Sequence, residues 1–120
     1  MICGIRGATT VDKDEKIEII TAVKELLKTI LTKNNITSSQ VIAVFFTNTP
    51  DLQSVFPASA ARALGWIDVP LLDGQQPIVE GSLKQCIRVM LLCEKETPGK
   101  VKHIYLKKAR ELRPDLLENS

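Results

Sequence analysis

Aromatic residues make up only 4% of the 120-residue chain, which has three cysteines and one histidine. The cysteines, Cys3, Cys86 and Cys93, are odd in number and form no C-x-x-C pair. A disulfide framework is therefore not implied, and one histidine cannot complete a zinc site at any familiar spacing. The expectation is three small apolar side chains in a reducing cytoplasm. No apolar run approaches the roughly 18 residues a membrane helix needs, and the first ten residues do not read as a signal peptide. Lysine and arginine number 16 against 14 aspartates and glutamates, a net charge of +2, which offers no general electrostatic reason to bind nucleic acid. There is no P-loop, and Gly4-Ile5-Arg6-Gly7 is not a dinucleotide fingerprint. The acidic residues are too scattered for a metal cluster, and no nucleophile–base arrangement is visible. His103 is expected to be a hydrogen-bonded strand residue rather than a catalytic base.

What is present suits one compact domain over residues 1–120, with a radius of gyration of about 14 Å. Hydrophobic residues at 44% and charged residues at 25% exclude long disorder. Residues 2–8 read as a first strand. Asp12 and Glu15 are spaced as a capping box ahead of an amphipathic helix over 14–33. Its apolar stripe is Ile19, Ile20, Val23, Leu26, Leu27, Ile30 and Leu31, and Asn34-Asn35 ends it. Residues 41–47 (VIAVFFT) read as a strand buried on both faces. Thr49-Pro50-Asp51 is a turn. Residues 57–64 read as a short helix opened by proline and stopped by Gly65. Further strands are expected over 67–72, 86–93 (CIRVMLLC) and 101–106. Asp73-Gly74 is expected to open a loop, and Pro98-Gly99 to turn the chain into the last strand. Residues 114–120 are expected to form a flexible tail.

This inventory is α+β: a mixed sheet of about five strands, one long helix and one short one. One long helix covers one face of such a sheet. The other face would be a larger apolar patch than soluble monomers usually expose, so a second subunit is expected to cover it. Arginine placement points to a ligand. Arg6 lies in the first strand and Arg88 inside CIRVMLLC, where a guanidinium is costly unless it meets an anion. An ion pair with aspartate or glutamate would satisfy either arginine alone. With Arg62 and Arg113 as further candidates, a shared anionic ligand competes with that explanation, because the arginine fork suits carboxylates.

The same residues carry a family resemblance. The motifs are Gly4-Ile5-Arg6-Gly7-Ala8-Thr9-Thr10, Thr49-Pro50-Asp51-Leu52, and Val55-Phe56-Pro57-Ala58 with Arg62. They continue with Gly81-Ser82-Leu83, Cys86-Ile87-Arg88-Val89-Met90, His103-Ile104-Tyr105-Leu106 and Leu112-Arg113-Pro114-Asp115-Leu116. Together, over about residues 2–117, the chain resembles the monofunctional chorismate mutases of the AroH type.

That resemblance implies a homotrimeric pseudo α/β barrel with sites between subunits. It also implies the cofactor-free, metal-free Claisen rearrangement of chorismate to prephenate, on the route to phenylalanine and tyrosine. By the same resemblance, Arg88 donates to the breaking ether oxygen and a carboxylate. Arg6 and Tyr105 bind carboxylates, while Phe56 and Ala58 line the pocket from the adjoining subunit and Leu72 also contacts substrate. Arg62, Leu112 and Arg113 close its mouth. Two departures stand out. Gln76 occupies the position of a family glutamate near the substrate hydroxyl. Asp73, three residues earlier, replaces a frequent cysteine, so a carboxylate has either moved there or serves only the Asp73-Gly74 turn. Ser59 stands where some members carry a lysine. Gln76 keeps an alternative open: an anion-binding or regulatory relative with weakened catalysis.

Overall fold

The structure, a computed structural model, describes residues 1–96 and 100–112. Five strands form one sheet: β1 (Ile2–Thr10), β2 (Val41–Asn48), β3 (Leu71–Gln75), β4 (Cys86–Glu94) and β5 (Ile104–Tyr105). Their spatial order is β3-β2-β4-β1-β5. β4 runs antiparallel to both β1 and β2, while the outer strands β3 and β5 run parallel to β2 and β1. The mixed sheet is therefore as expected.

Helix α1 (Lys16–Lys33) buries Ile19, Ala22, Val23, Leu26, Leu27 and Ile30. These pack with Ile5, Val44, Phe46, Ile87, Val89, Leu91 and Ile104 from the sheet in one core. The alternation of strand side chains selects that set. A single helical layer gives a slab, 39 × 33 × 21 Å, with a radius of gyration of 13.7 Å. β2 is consequently not buried on both faces. Val41, Val44 and Phe46 are buried, but Ile42 and Phe45 are 40% and 42% exposed.

Gly7 shows how closely the layers approach. A Cβ there would lie 3.0 Å from the Ile104 carbonyl and 3.1 Å from both Ile30 Cδ1 and Val89 Cγ1. Three neighbours would have to give way at once, which a close-packed interior resists.

Several local expectations are corrected. Glu15 flanks α1 but makes no side-chain capping bond. Glu18 reaches back instead, its Oε1 accepting from the amides of Asp12 (2.7 Å) and Lys13 (3.3 Å). The third strand does not occupy 67–72. Ile67 is 86% exposed, and β3 continues through Asp73-Gly74 because its parallel register pairs Phe46 with Asp73 and Thr47 with Gly74. The loop therefore begins only after Gln75. The short helix α2 (Ala58–Ala63) follows Pro57 and ends before Gly65, whose φ of +88° suits glycine.

The last strand is shorter than expected because other partners take its hydrogen bonds. The Lys102 amide donates to Asn34 Oδ1 (2.7 Å), and His103 Nδ1 accepts from the Arg6 amide (2.9 Å). Asn34 thus ends α1 and ties it to the approach to β5, its Nδ2 donating to the carbonyls of Ile30 and Lys102, both at 2.9 Å. The expected turn at Pro98-Gly99 and the tail at 114–120 lie outside the described residues. Among the described residues, no helix is long and apolar enough to cross a membrane.

Asn34 is 3% exposed. Asn34→Ala strips a buried amide of its acceptor and is expected to cost about 1–3 kcal/mol. Chemical denaturation of the two proteins measures it, and Asn34→Asp, which sets a buried carboxylate oxygen against the Ile30 and Lys102 carbonyls, should lose at least as much at neutral pH.

Candidate active site

The strand period that sends Ile5, Val89 and Leu91 toward α1 sends the alternate residues to the opposite, open face. The pairings Arg6↔Met90, Ala8↔Arg88, Thr47↔Arg88, Phe45↔Met90 and Phe45↔Leu72 place these side chains side by side there. Arg6 and Arg88 are diagonal neighbours across β1 and β4, a spacing of about 7–8 Å. Tyr105 joins them on β5, opposite Ala8.

Together they border a cleft of about 440 Å³, completed by Phe45, Thr47, Met90 and Leu112. Ala8 and Thr47 flank Arg88 with small side chains, leaving its guanidinium room to stand above the sheet. Among the described residues the one ion pair joins the Met1 amino group to Glu94, at 2.8 Å. Neither strand arginine is paired with a carboxylate there, so the cleft offers two guanidinium forks to an anion from outside.

One end of the open face is sealed. Ala8, Cys86 and Ala109 form a second buried cluster, packed by Leu83, Tyr105 and Leu112. The chain after β5 is held over this corner by the Leu106 amide on the Ala8 carbonyl (2.9 Å) and the Lys108 amide on Thr10 Oγ1 (3.3 Å). Cys86 bears out its reading as a small buried residue. Burial pushes its thiol up from the ordinary range, only partly offset by the nearby Arg88 guanidinium. All three cysteines are free.

The remaining expected site residues are elsewhere. Phe56 (67% exposed), Arg62, Leu72 (61% exposed) and Asp73 lie around α2 and β3, at the other edge of the sheet. β3 is three strand steps from β1, about 14 Å. The Ala58 side chain is fully buried in the core rather than facing a pocket. Asp73 is a strand residue, not a turn residue. Its Oδ1 accepts from the Ala58 amide (3.0 Å), anchoring the first turn of α2. Burial pushes the Asp73 carboxyl up, opposed by that amide and by the charge of Arg62.

Gln76 is 9% exposed and lines a separate cleft of about 460 Å³ with Pro50, Ser82 and Lys84. Its amide donates to the Asn48 carbonyl (2.9 Å), while its Oε1 finds no hydrogen-bond donor among the described residues. Arg113 lies outside them. Those residues contain no cluster of histidine, cysteine and carboxylate able to hold a metal.

A model of the family chorismate mutase type I matches residues 2–116. The chain belongs to the chorismate mutase type I family. It is 46% identical to chorismate mutase AroH of Bacillus subtilis over 97% of this chain and 93% of that protein. It is 48% identical to chorismate mutase AroH of Thermus thermophilus over 97% of each. The fold superposes on a chorismate mutase from Clostridium thermocellum with a TM-score of 0.88 at 40% identity, covering 91% of this chain and 98% of that one.

One contributor escapes a reading of the sequence. Asp14 Oδ1 accepts from the amides of Gln53 (3.0 Å) and Ser54 (3.1 Å), fixing the loop that carries Phe56. A partner nearly forty residues away leaves no local signal. Hydrogen bonds from the Ser54 side chain and from the Gln53 and Ser54 amides hold the Asp14 carboxyl below its ordinary value, despite some opposing desolvation. A lowered folded-state pKa gives stability that is complete above the unfolded value and lost as pH falls through the folded one. Asp14→Asn is therefore expected to be less stable than the parent at neutral pH, with the gap closing as pH falls below the ordinary aspartate range. Thermal melts across pH measure it.

Proposed function

We propose that this chain converts chorismate to prephenate in the synthesis of phenylalanine and tyrosine, without metal or cofactor. The observation that carries this reading is the pair of strand arginines, Arg6 and Arg88, converging with Tyr105 on one open cleft without carboxylate partners among the described residues. That convergence favours catalysis over an anion-binding relative with weakened turnover. Free cysteines and the lack of a membrane-crossing helix among the described residues suit a cytoplasmic enzyme.

The rearrangement is a unimolecular pericyclic step and transfers no proton to the protein. Its catalyst must hold a flexible dianion in the compact reactive conformer, which removes conformational entropy in advance. It must also meet the charge that separates in the transition state. Arg88 donates to the ether oxygen, where negative charge grows, and to a carboxylate. Arg6 and the Tyr105 hydroxyl hold carboxylates. Leu112 borders the mouth.

Phe56, Arg62, Leu72 and Asp73 come from a neighbouring subunit, because within one chain they occupy the opposite sheet edge. Joining one edge of each chain to the other edge of the next is a heterologous contact, and closure after three copies gives the trimer. The exposed Phe45, Leu72 and Met90 are the surface that such a contact would cover. The Ala58 contribution is backbone, since its side chain is in the core.

Purified protein is expected to consume the absorbance of the chorismate diene and to sediment as a trimer.

 Arg88→Ala is expected to lose about 2.7–4 kcal/mol of transition-state stabilisation, falling on kcat, with the fold intact. Arg88→Lys should also be poor, since one ammonium cannot reproduce the fork. A variant with parent kcat, or a parent that sediments as a monomer, contradicts this reading.

Asp73 supplies the negative charge that Gln76 lacks. Positive character grows on the ring side of the breaking bond, and a fixed carboxylate stabilises it more than it stabilises the neutral ground state. Asn can keep the oxygen that accepts from Ala58, so Asp73→Asn isolates the charge from the helix contact. It is expected to lower kcat more than Gln76→Ala does, with Gln76→Glu restoring part of the loss when added to Asp73→Asn. Steady-state kinetics of the parent, Asp73→Asn, Gln76→Glu and the double variant, read as a cycle, decide it. An unchanged kcat in Asp73→Asn leaves Asp73 as an anchor of α2 only.

A further inference from the structure

The turn Thr49-Pro50-Asp51 directly follows β2, and its side chains act beyond the turn. Thr49 is 5% exposed and its amide donates to the Cys86 carbonyl (3.0 Å). Its hydroxyl oxygen accepts from the Cys86 amide (3.0 Å), and the same hydroxyl donates to Asp51 Oδ1. The other carboxylate oxygen of Asp51 accepts from the Gln85 amide (3.0 Å). Gln85 has a φ of +50°, a conformation that non-glycine residues rarely adopt, so the backbone entering β4 is held in place rather than relaxed. Cys86 and Arg88 are two residues apart on one strand and therefore share a face. The Arg88 guanidinium lies close enough to the Cys86 thiol for its charge to oppose the effect of burial there.

We propose that Thr49 and Asp51 are positioning residues that set where the Arg88 guanidinium stands in the cleft, acting through the backbone of Gln85 and Cys86. The chemistry requires these residue types. One hydroxyl must accept and donate at the same time, and two carboxylate oxygens must receive separate donors. Loss of either group frees the start of β4, and with it the strand that carries Arg88 two residues on. Misplacing a charged donor by about 1 Å can cost up to 100-fold in rate. The effect belongs to kcat, because Arg88 acts on charge that develops in the transition state.

The test uses the intact oligomer. Thr49→Val preserves shape but neither accepts nor donates, and is expected to lower kcat between roughly 10- and 100-fold while KM stays near the parent value. Thr49→Ser keeps the hydroxyl and should retain parent kcat. In an Arg88→Lys background, Thr49→Val should cost far less than in the parent, since the fork it positions is gone. The ¹⁵N resonance of Arg88 Nε–H, assigned by its disappearance in Arg88→Lys, should move in Thr49→Val and not in Thr49→Ser. If Thr49→Val fails to fold, Asp51→Asn carries the same measurements, because its amide nitrogen faces a donor where an acceptor is needed. An unmoved Nε signal, or equal kcat losses in the two Arg88 backgrounds, overturns the positioning role. The inference rests on Arg88 as the ether-oxygen donor. Arg88→Ala with parent kcat removes that reading separately, whatever the Nε signal shows.

Discussion

The period of two along β1 and β4 is the constraint on which the site depends. It gives each strand one row of side chains for α1 and another for the open face. Ile5, Val89 and Leu91 fall in the first row and are buried. Arg6, Arg88 and Met90 fall in the second. A slip of β4 by one residue would drive the Arg88 guanidinium into the core and bring Leu91 to the surface. The packing that makes the core thus also fixes the arginines. Gly7 belongs to the same constraint, because its missing side chain lets β1 approach Ile30 and Val89 while its neighbour Arg6 points the other way.

Polar groups next to the open face have fixed partners where their geometry matters to the cleft. The Arg6 amide donates to His103 Nδ1, so His103 serves as a backbone acceptor beside β1. Thr49 and Asp51 occupy the amides of Cys86 and Gln85. Asp73 occupies the amide of Ala58. The strand arginines, by contrast, meet no carboxylate among the described residues. Buried polar groups are ordinarily satisfied inside the fold. A pair of basic side chains left available above an apolar sheet is what an electrostatic catalyst requires: donors held in place before the reaction, so that little reorganisation accompanies the change in charge.

Much of this organisation is legible in the sequence because apolar periodicity is a local property. The α1 stripe, the run VIAVFFT and the run CIRVMLLC each mark their element without help from the rest of the chain. Arg6 and Arg88 stand out because each interrupts such a run. The errors fall where a distant partner decides. Asp73-Gly74 has turn chemistry, yet parallel pairing with Phe46 and Thr47 draws it into β3. Residues 101–106 have strand composition, yet Asn34 takes the Lys102 amide and leaves only Ile104–Tyr105 in the sheet. Glu15 has the spacing of a capping residue, yet Glu18 makes the contacts. For the candidate site, Arg6 and Arg88 stand out from the residues alone, whereas Tyr105 and the placement of Phe56 on an adjoining subunit come only from the family resemblance. The distance of Leu72 and Asp73 from the arginines depends on strand order, which no local pattern carries.

That strand order supplies the link between fold and assembly. With β3 at one edge and β5 at the other, a single sheet cannot fold its ends onto one ligand without bending far beyond its ordinary twist. A closed barrel within one chain would solve the problem, but five short strands on one helix leave no material for it. In the proposed trimer, rotation about a common axis would solve it without changing the chain, by bringing the β3–α2 edge of one copy to the β1–β5 side of the next. The uncovered apolar residues and the divided site would then be two results of one design. Phe45, Leu72 and Met90 are exposed, and Arg6 and Arg88 meet no carboxylate among the described residues, because both sets lie on the face left open by the single helical layer. Burial of the apolar set would stabilise the assembly, and the lower dielectric it creates around the cleft would strengthen the interactions of the arginines with a bound dianion.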